Sequence, residues 1–146
     1  MVLRSILAGM AVAVIATGSA LAADCALSAD AVAGKALASQ CTTCHSFDAD
    51  KPSRPTGPNL HDIYGEKAGS RSDFPKYSEA MLAANAKGMR WTDEPLYAYL
   101  ADPKAFLTSV NGQEIKHAMF FFLKDEGKRK QVISYLKEIK GKRECN

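Results

Sequence analysis

The chain has 146 residues, 47% of them hydrophobic and 24% charged, with a formal net charge of +3 at pH 7. That balance fits one folded domain rather than a disordered chain, and so mild a basic excess argues against a nucleic-acid binder. Four cysteines are too few for a disulfide scaffold, so each needs its own explanation.

Residues 1–22 read as a secretory signal. Arg4 supplies the positive start, Ile6 to Ala16 form an apolar run, and Ala20-Leu21-Ala22 matches the small-residue cleavage pattern. The apolar run falls short of the roughly 20 residues a spanning helix needs, which weighs against an uncleaved anchor. Asp24 before Cys25 weighs against a lipoprotein site. Cleavage after Ala22 leaves residues 23–146 as a single domain of net charge +2, expected in the periplasm as a soluble product.

The periodic signals that follow are helical. Ser28 or Asp30 can cap a helix over residues 31–40. Residues 46–76 hold Pro52, Pro55, Pro58 and Pro75 with several glycines, so they read as irregular loop. Ser78 can cap a short helix towards Asn85, with Gly88 just past its end. Thr92 begins another, with Asp93, Glu94 and Pro95 in its first turn. Leu96, Tyr99 and Leu100 share a face of it, and Pro103 is expected to stop it. Val132, Tyr135, Leu136 and Ile139 place a last helix at about Glu126 to Lys140. No run has the period-two pattern of a strand. Short helices joined by long loops bury little apolar surface, so something large and apolar should complete the core.

Cys41-Thr42-Thr43-Cys44-His45 supplies it. C-x-x-C-H is the attachment pattern of c-type haem: two thiols three residues apart reach two vinyl groups on one porphyrin edge, and the adjacent imidazole lies under the metal. Such attachment is made outside the cytoplasm, in agreement with the leader. A thiol oxidoreductase would need a βαβ pattern, and structural zinc would need further ligands that Cys25 and Cys145 are badly spaced to provide.

Around this motif the chain resembles class I cytochrome c, most of all the larger bacterial periplasmic form, cytochrome c2. The likeness runs from Gly34 to Leu136 through Thr56-Gly57-Pro58-Asn59-Leu60, Tyr77, Trp91, Tyr99-Leu100-Ala101-Asp102-Pro103, Met119 and Tyr135. It implies an all-α fold wrapped around one haem c held by Cys41 and Cys44. His45 and Met119 are then the axial ligands, and the Pro58 carbonyl accepts a hydrogen bond from His45. The resemblance further implies that Tyr77 and Trp91 donate to a buried propionate, that Tyr99 lies near the Met119 sulfur, and that the terminal helices cross at Gly34 and Tyr135. Met81 and Met89 read as core filler. His117 is the sharper rival to Met119, and His61 reads as an exposed loop residue.

Some residues depart from the family pattern. Ala118 stands where a Lys is usual before the ligand Met, and Glu66 where an Arg near a propionate is usual, with Arg71 as its candidate substitute. Leu37 and Ala38 replace an expected aromatic, which predicts looser packing between the terminal helices. Cys25 and Cys145 lie just outside those helices and are expected to form a disulfide.

The function implied is one-electron transfer by a monomer that is not an enzyme. Donors and acceptors would be a cytochrome bc complex, an oxidase, a photosynthetic reaction centre, or a periplasmic dehydrogenase or reductase, met in transient contacts at the membrane. Lys87, Lys104, Lys116 and Lys124 are the candidates for a positive docking rim. Lys128, Arg129, Lys130, Lys137 and Lys140 read as solvated surface. Two alternatives are a haem protein whose Met119 yields to a small gas or peroxide, and a detachable subunit of one enzyme.

Overall fold

Ser28 begins the first helix as expected: its Oγ accepts the Ala31 N–H at 3.2 Å, and α1 runs over Ala29–Ala38. A computed structural model describes residues 25–145, so the signal segment expected at 1–22 lies outside the described residues. Ser78 caps α2, Glu79–Ala86, by accepting the Met81 N–H at 3.3 Å. Then come α3 over Asp93–Ala101 and α4 over Pro103–Asn111, and finally α5 over Glu126–Ile139, capped by Asp125. Two isolated bridges, Arg54 with Gly57 and Lys67 with Arg90, are the only β-type pairing among the described residues.

Pro103 starts a helix as well as ending one. Asp102 is extended, its carboxylate accepts the Ala105 N–H at 2.9 Å, and Pro103 takes the first-turn position where its missing N–H is no loss. Gly112, at φ 76°, closes α4 in the left-handed conformation.

The frame is the crossing of α1 and α5. A Cβ on Gly34 would lie 2.0 Å from the Gln131 carbonyl oxygen, so only glycine allows the backbones to approach so closely. Ala31, Ala38, Tyr135 and Ile139 fill this crossing, and the Phe47 ring lies 5.8 Å from that of Tyr135. Where Leu37 and Ala38 leave no aromatic on α1, Phe47, after the haem motif, brings one to the crossing from the other side. Ser28 ties the ends together, its N–H and Oγ bonding the Glu138 carboxylate at 2.8 and 2.6 Å. Cys25 and Cys145 meet beside them with Cα atoms 5.1 Å apart.

His61 is the clearest reversal. It is 2% exposed, and its Nε2 donates to the Lys142 carbonyl at 3.1 Å, fastening the long loop to the end of α5. Asn59, 1% exposed, braces the same loop by donating to the carbonyls of Asp48 and Lys51 and accepting the His61 N–H. Buried polar groups satisfied in this way order a segment that has no regular structure.

Candidate haem site

After α1 the chain tightens through a 3₁₀ turn, Ser39–Cys41, and the N–H groups of Cys44 and His45 both bond the Cys41 carbonyl, at 3.1 and 2.9 Å. This winding brings Cys41, Cys44 and His45 to the wall of one cavity of about 430 Å³. Both thiols are free. Burial, reinforced by the nearby Cys44, pushes the Cys41 thiol up from its ordinary value.

The loop that follows returns to fix the imidazole. Thr56 Oγ1 donates to the Cys44 carbonyl at 3.1 Å, and His45 Nδ1 lies 2.8 Å from the Pro58 carbonyl oxygen. A carbonyl can only accept, so Nδ1 carries the proton and Nε2 keeps its lone pair. Burial lowers the His45 pKa despite that hydrogen bond, which keeps the ring neutral and competent as a metal ligand. Gly57 makes the approach feasible, since a Cβ there would stand 2.6 Å from His45 Cε1.

The far wall comes from α2, α3 and the segment before α5. Met119 lines the cavity with Ala118, Phe120 and Phe121. His117 is absent from the lining and lies outside it, its ring 4.9 Å from that of Phe120. Met81 also reaches the wall, from within the core of α2; Met89 only packs behind it.

Tyr77, Trp91 and Tyr99 line the cavity too. Tyr77 Oη accepts the Arg71 N–H at 3.3 Å, which leaves its O–H free to donate. Trp91 and Tyr99 are buried, with rings 4.8 Å apart and Phe106 of α4 behind both. No hydrogen bond from Trp91 Nε1 or Tyr99 Oη to protein is formed among the described residues, and both residues line the cavity. Burial raises the Tyr99 phenol far above its usual range. A large apolar cavity whose walls combine two thiols, a neutral imidazole, a thioether and unpaired donors fits a haem with its propionates.

Several expected residues fall elsewhere. Arg71 and Glu66 are not on the lining: Arg71 Nε holds Asp73 at 3.1 Å, and Glu66 takes Lys140 at 3.2 Å. Lys87 Nζ is committed to the carbonyls of Val110 and Asn111, and Lys104 to Glu114 at 2.7 Å. The sequence reading missed Phe47, Phe74 and Lys76 on the lining, and Phe106 behind it. For Phe106 a signal existed: with Leu107 and Val110 it makes the apolar stripe of α4.

No protein-family model matches the chain. Among curated proteins it is 37% identical to cytochrome c2 of Rhodospirillum rubrum over 126 residues, covering 86% of this chain and 88% of that one. It is also 37% identical to cytochrome c2 of Cereibacter sphaeroides over 136 residues, or 88% and 93% of the two chains. Among solved structures, cytochrome c2 of Rhodobacter sphaeroides superposes with a TM-score of 0.70 at 35% identity, covering 76% of this chain and 96% of that one. Cytochrome c2 of Paracoccus denitrificans gives 0.70 at 28% identity, covering 78% and 98%. These relatives lend no support to the gas- or peroxide-binding alternative. With helices as the regular structure among the described residues around one cavity, and with likeness over most of its length, the chain belongs to the cytochrome c2 family of class I c-type cytochromes, one-electron carriers with a single covalently attached haem c.

Proposed function

We propose that Cys41 and Cys44 form the two thioether bonds, that His45 and Met119 are the axial ligands, and that the protein works in the periplasm, after loss of residues 1–22, as a carrier and not an enzyme. The observation that carries this reading is the His45–Pro58 hydrogen bond of 2.8 Å, set in a cavity whose walls also hold Cys41, Cys44 and Met119. The Pro58 carbonyl fixes the imidazole ring and raises its donor strength. Met119 would supply a soft sulfur ligand, which favours ferrous iron and raises the reduction potential relative to a second imidazole. Bound haem supplies the ferric–ferrous couple. The protein's task is to hold both ligands still while an electron passes; Tyr77 and Trp91 would supply donors for the charged propionate edge, and Tyr99 would lie near the Met119 sulfur.

Partners would meet the face where the cavity opens. Phe120 is 75% exposed and Phe122 52%, with Lys76 on the cavity mouth, Lys116 exposed, and Lys124 Nζ 5.3 Å from the Phe122 ring centroid. With Lys87 and Lys104 tied elsewhere, Lys76, Lys116 and Lys124 form the steering rim for acidic partners. A cytochrome bc complex as donor, and a reaction centre, oxidase or periplasmic reductase as acceptor, suit such a monomeric carrier.

The far-red absorption of the purified ferric protein tests the ligand assignment. A weak sulfur-to-iron charge-transfer band is expected, lost in Met119→Ala and kept in His117→Ala. A wild-type spectrum without it would refute Met119 as ligand.

A further inference from the structure

Arg129 is a buried cation with no carboxylate. It sits on α5 between Lys128 and Lys130, where the sequence pattern suggested solvated surface, yet it is 5% exposed. Its Nη1 donates to the carbonyls of Leu123 and Lys124 at 2.8 and 2.7 Å. Its guanidinium carbon lies 4.2 Å from the centroid of the Tyr97 ring of α3, and its Nε has no hydrogen-bond partner. No ion pair reaches it among the described residues. Among the described residues, two carbonyl dipoles and a ring face are what offsets this largely desolvated charge. If the position only had to fill space, an apolar side chain of similar volume would do so at lower cost.

What the two carbonyls belong to gives the residue a role. Leu123 and Lys124 end the irregular segment that leaves α4 at Gly112 and carries Met119. At that end the Leu123 N–H also bonds the Leu100 carbonyl of α3 at 2.7 Å. At the other end the Lys116 carbonyl accepts the Ala80 N–H of α2 at 3.2 Å. Between these points, residues 117–122 make no backbone hydrogen bond among the described residues, and Ala118, Phe120, Phe121 and Phe122 are all exposed. Met119 is therefore held at the cavity by what anchors the two ends of its segment.

We propose that Arg129 is a positioning residue for Met119: by clamping the Leu123 and Lys124 carbonyls against Tyr97, it keeps the segment closed over the cavity and the thioether in place. This rests on Met119 being the second axial ligand. In Arg129→Met both carbonyls lose their donor and turn to water, while at that end the Leu123–Leu100 bond and the packing of Leu123 against the core remain.

The test is the affinity of the ferric haem-loaded protein for imidazole, which binds only when Met119 leaves. Arg129→Met should bind imidazole about tenfold more tightly, equivalent to about 1.4 kcal/mol of easier opening. Arg129→Lys, which keeps charge and N–H donors, should return the affinity most of the way to wild type. Lys87→Met serves as the control for general loosening. It removes the bonds to Val110 and Asn111 beyond the other end of the segment and should leave imidazole affinity unchanged even where it lowers stability. Unchanged affinity in Arg129→Met overturns the proposal, as does an equal rise in Lys87→Met. If Arg129→Met does not accumulate with haem, Arg129→Ala, which also removes the donors and leaves room for water at the two carbonyls, is measured against the same two outcomes. A wild-type protein lacking the far-red band overturns the ligand assignment instead, and is seen before any variant is made.

Discussion

Replacing Gly34 with alanine pits two effects of opposite sign. Alanine is favoured over glycine within a helix by about 1 kcal/mol. Against that, the new Cβ would stand 2.0 Å from the Gln131 carbonyl oxygen, 2.5 Å from its carbon and 2.9 Å from Tyr135 Cβ. Ordinary contact begins at 3.4 Å, so the shortfall at the oxygen is about 1.4 Å. The nearest two atoms are backbone, so no rotamer change relieves them and α1 must move off α5, loosening Ala31, Ala38, Tyr135 and Ile139. Overpacking of this kind costs about 1–3 kcal/mol, with the upper figure fitting a rigid neighbour. The clash wins, and Gly34→Ala should lose about 2 kcal/mol net. Gly127, in the first turn of α5, is the internal contrast: a Cβ there meets only the Asp125 carboxylate oxygen, at 3.4 Å. Gly127→Ala should therefore gain up to about 1 kcal/mol. Guanidinium unfolding of the haem-loaded protein, followed by far-ultraviolet circular dichroism, reads both. With a slope of about 4 kcal/mol per molar, the Gly34 variant should move the midpoint down by about 0.5 M. A midpoint at or above wild type would refute the close-approach account of the helix crossing.

Three further predictions follow from the same contacts. Cys25 and Cys145, 120 residues apart, should be bridged in the exported protein, and replacing both with serine should cost about 2–4 kcal/mol; two titratable thiols in the unfolded, unreduced protein would end that claim. Reversing charge at Lys116 and Lys124 should slow electron transfer with an acidic partner at low salt and have little effect at high salt. Lys104→Glu, already paired with Glu114 in the wild type, should do less, and equal effects would dismiss the proposed rim. Asp73 is held down at about 2, from 3.8, chiefly by the Ser53 N–H and also by Arg71. Its depressed value makes its stabilising contribution complete above pH 3.8 and lost as pH falls through about 2. Asp73→Asn should accordingly lose less stability than wild type across that acid window, and parallel acid-unfolding curves would contradict the assignment.

What could be read without coordinates was what depends on neighbours a few residues away. Cys41, Cys44 and His45 are legible because haem attachment needs its groups within one short turn. Ser28 and Ser78 are legible because a cap bonds an N–H three residues on. The α4 helix obeys the same local rules, but Pro103, which does end α3, also begins a helix, with Asp102 before it and Gly112 after it as its cap and its close. The ordering of Met119 behind the motif came from family likeness, since nothing in its own surroundings distinguishes it from His117.

The sequence by itself determined the cofactor, the helical class and most helix boundaries. Tertiary structure alone decided which polar side chains are interior. His61 and Arg129 look like surface residues by type, and each is buried because backbone carbonyls arrive to accept from it, at Lys142 for one and at Leu123 and Lys124 for the other. Lys87 and Lys104 look like docking charges and are engaged by Val110, Asn111 and Glu114. The physical reason is the same in each case. Whether a polar group can leave water depends on the partners that meet it when the chain closes, and those partners are often set by segments that only the fold brings near.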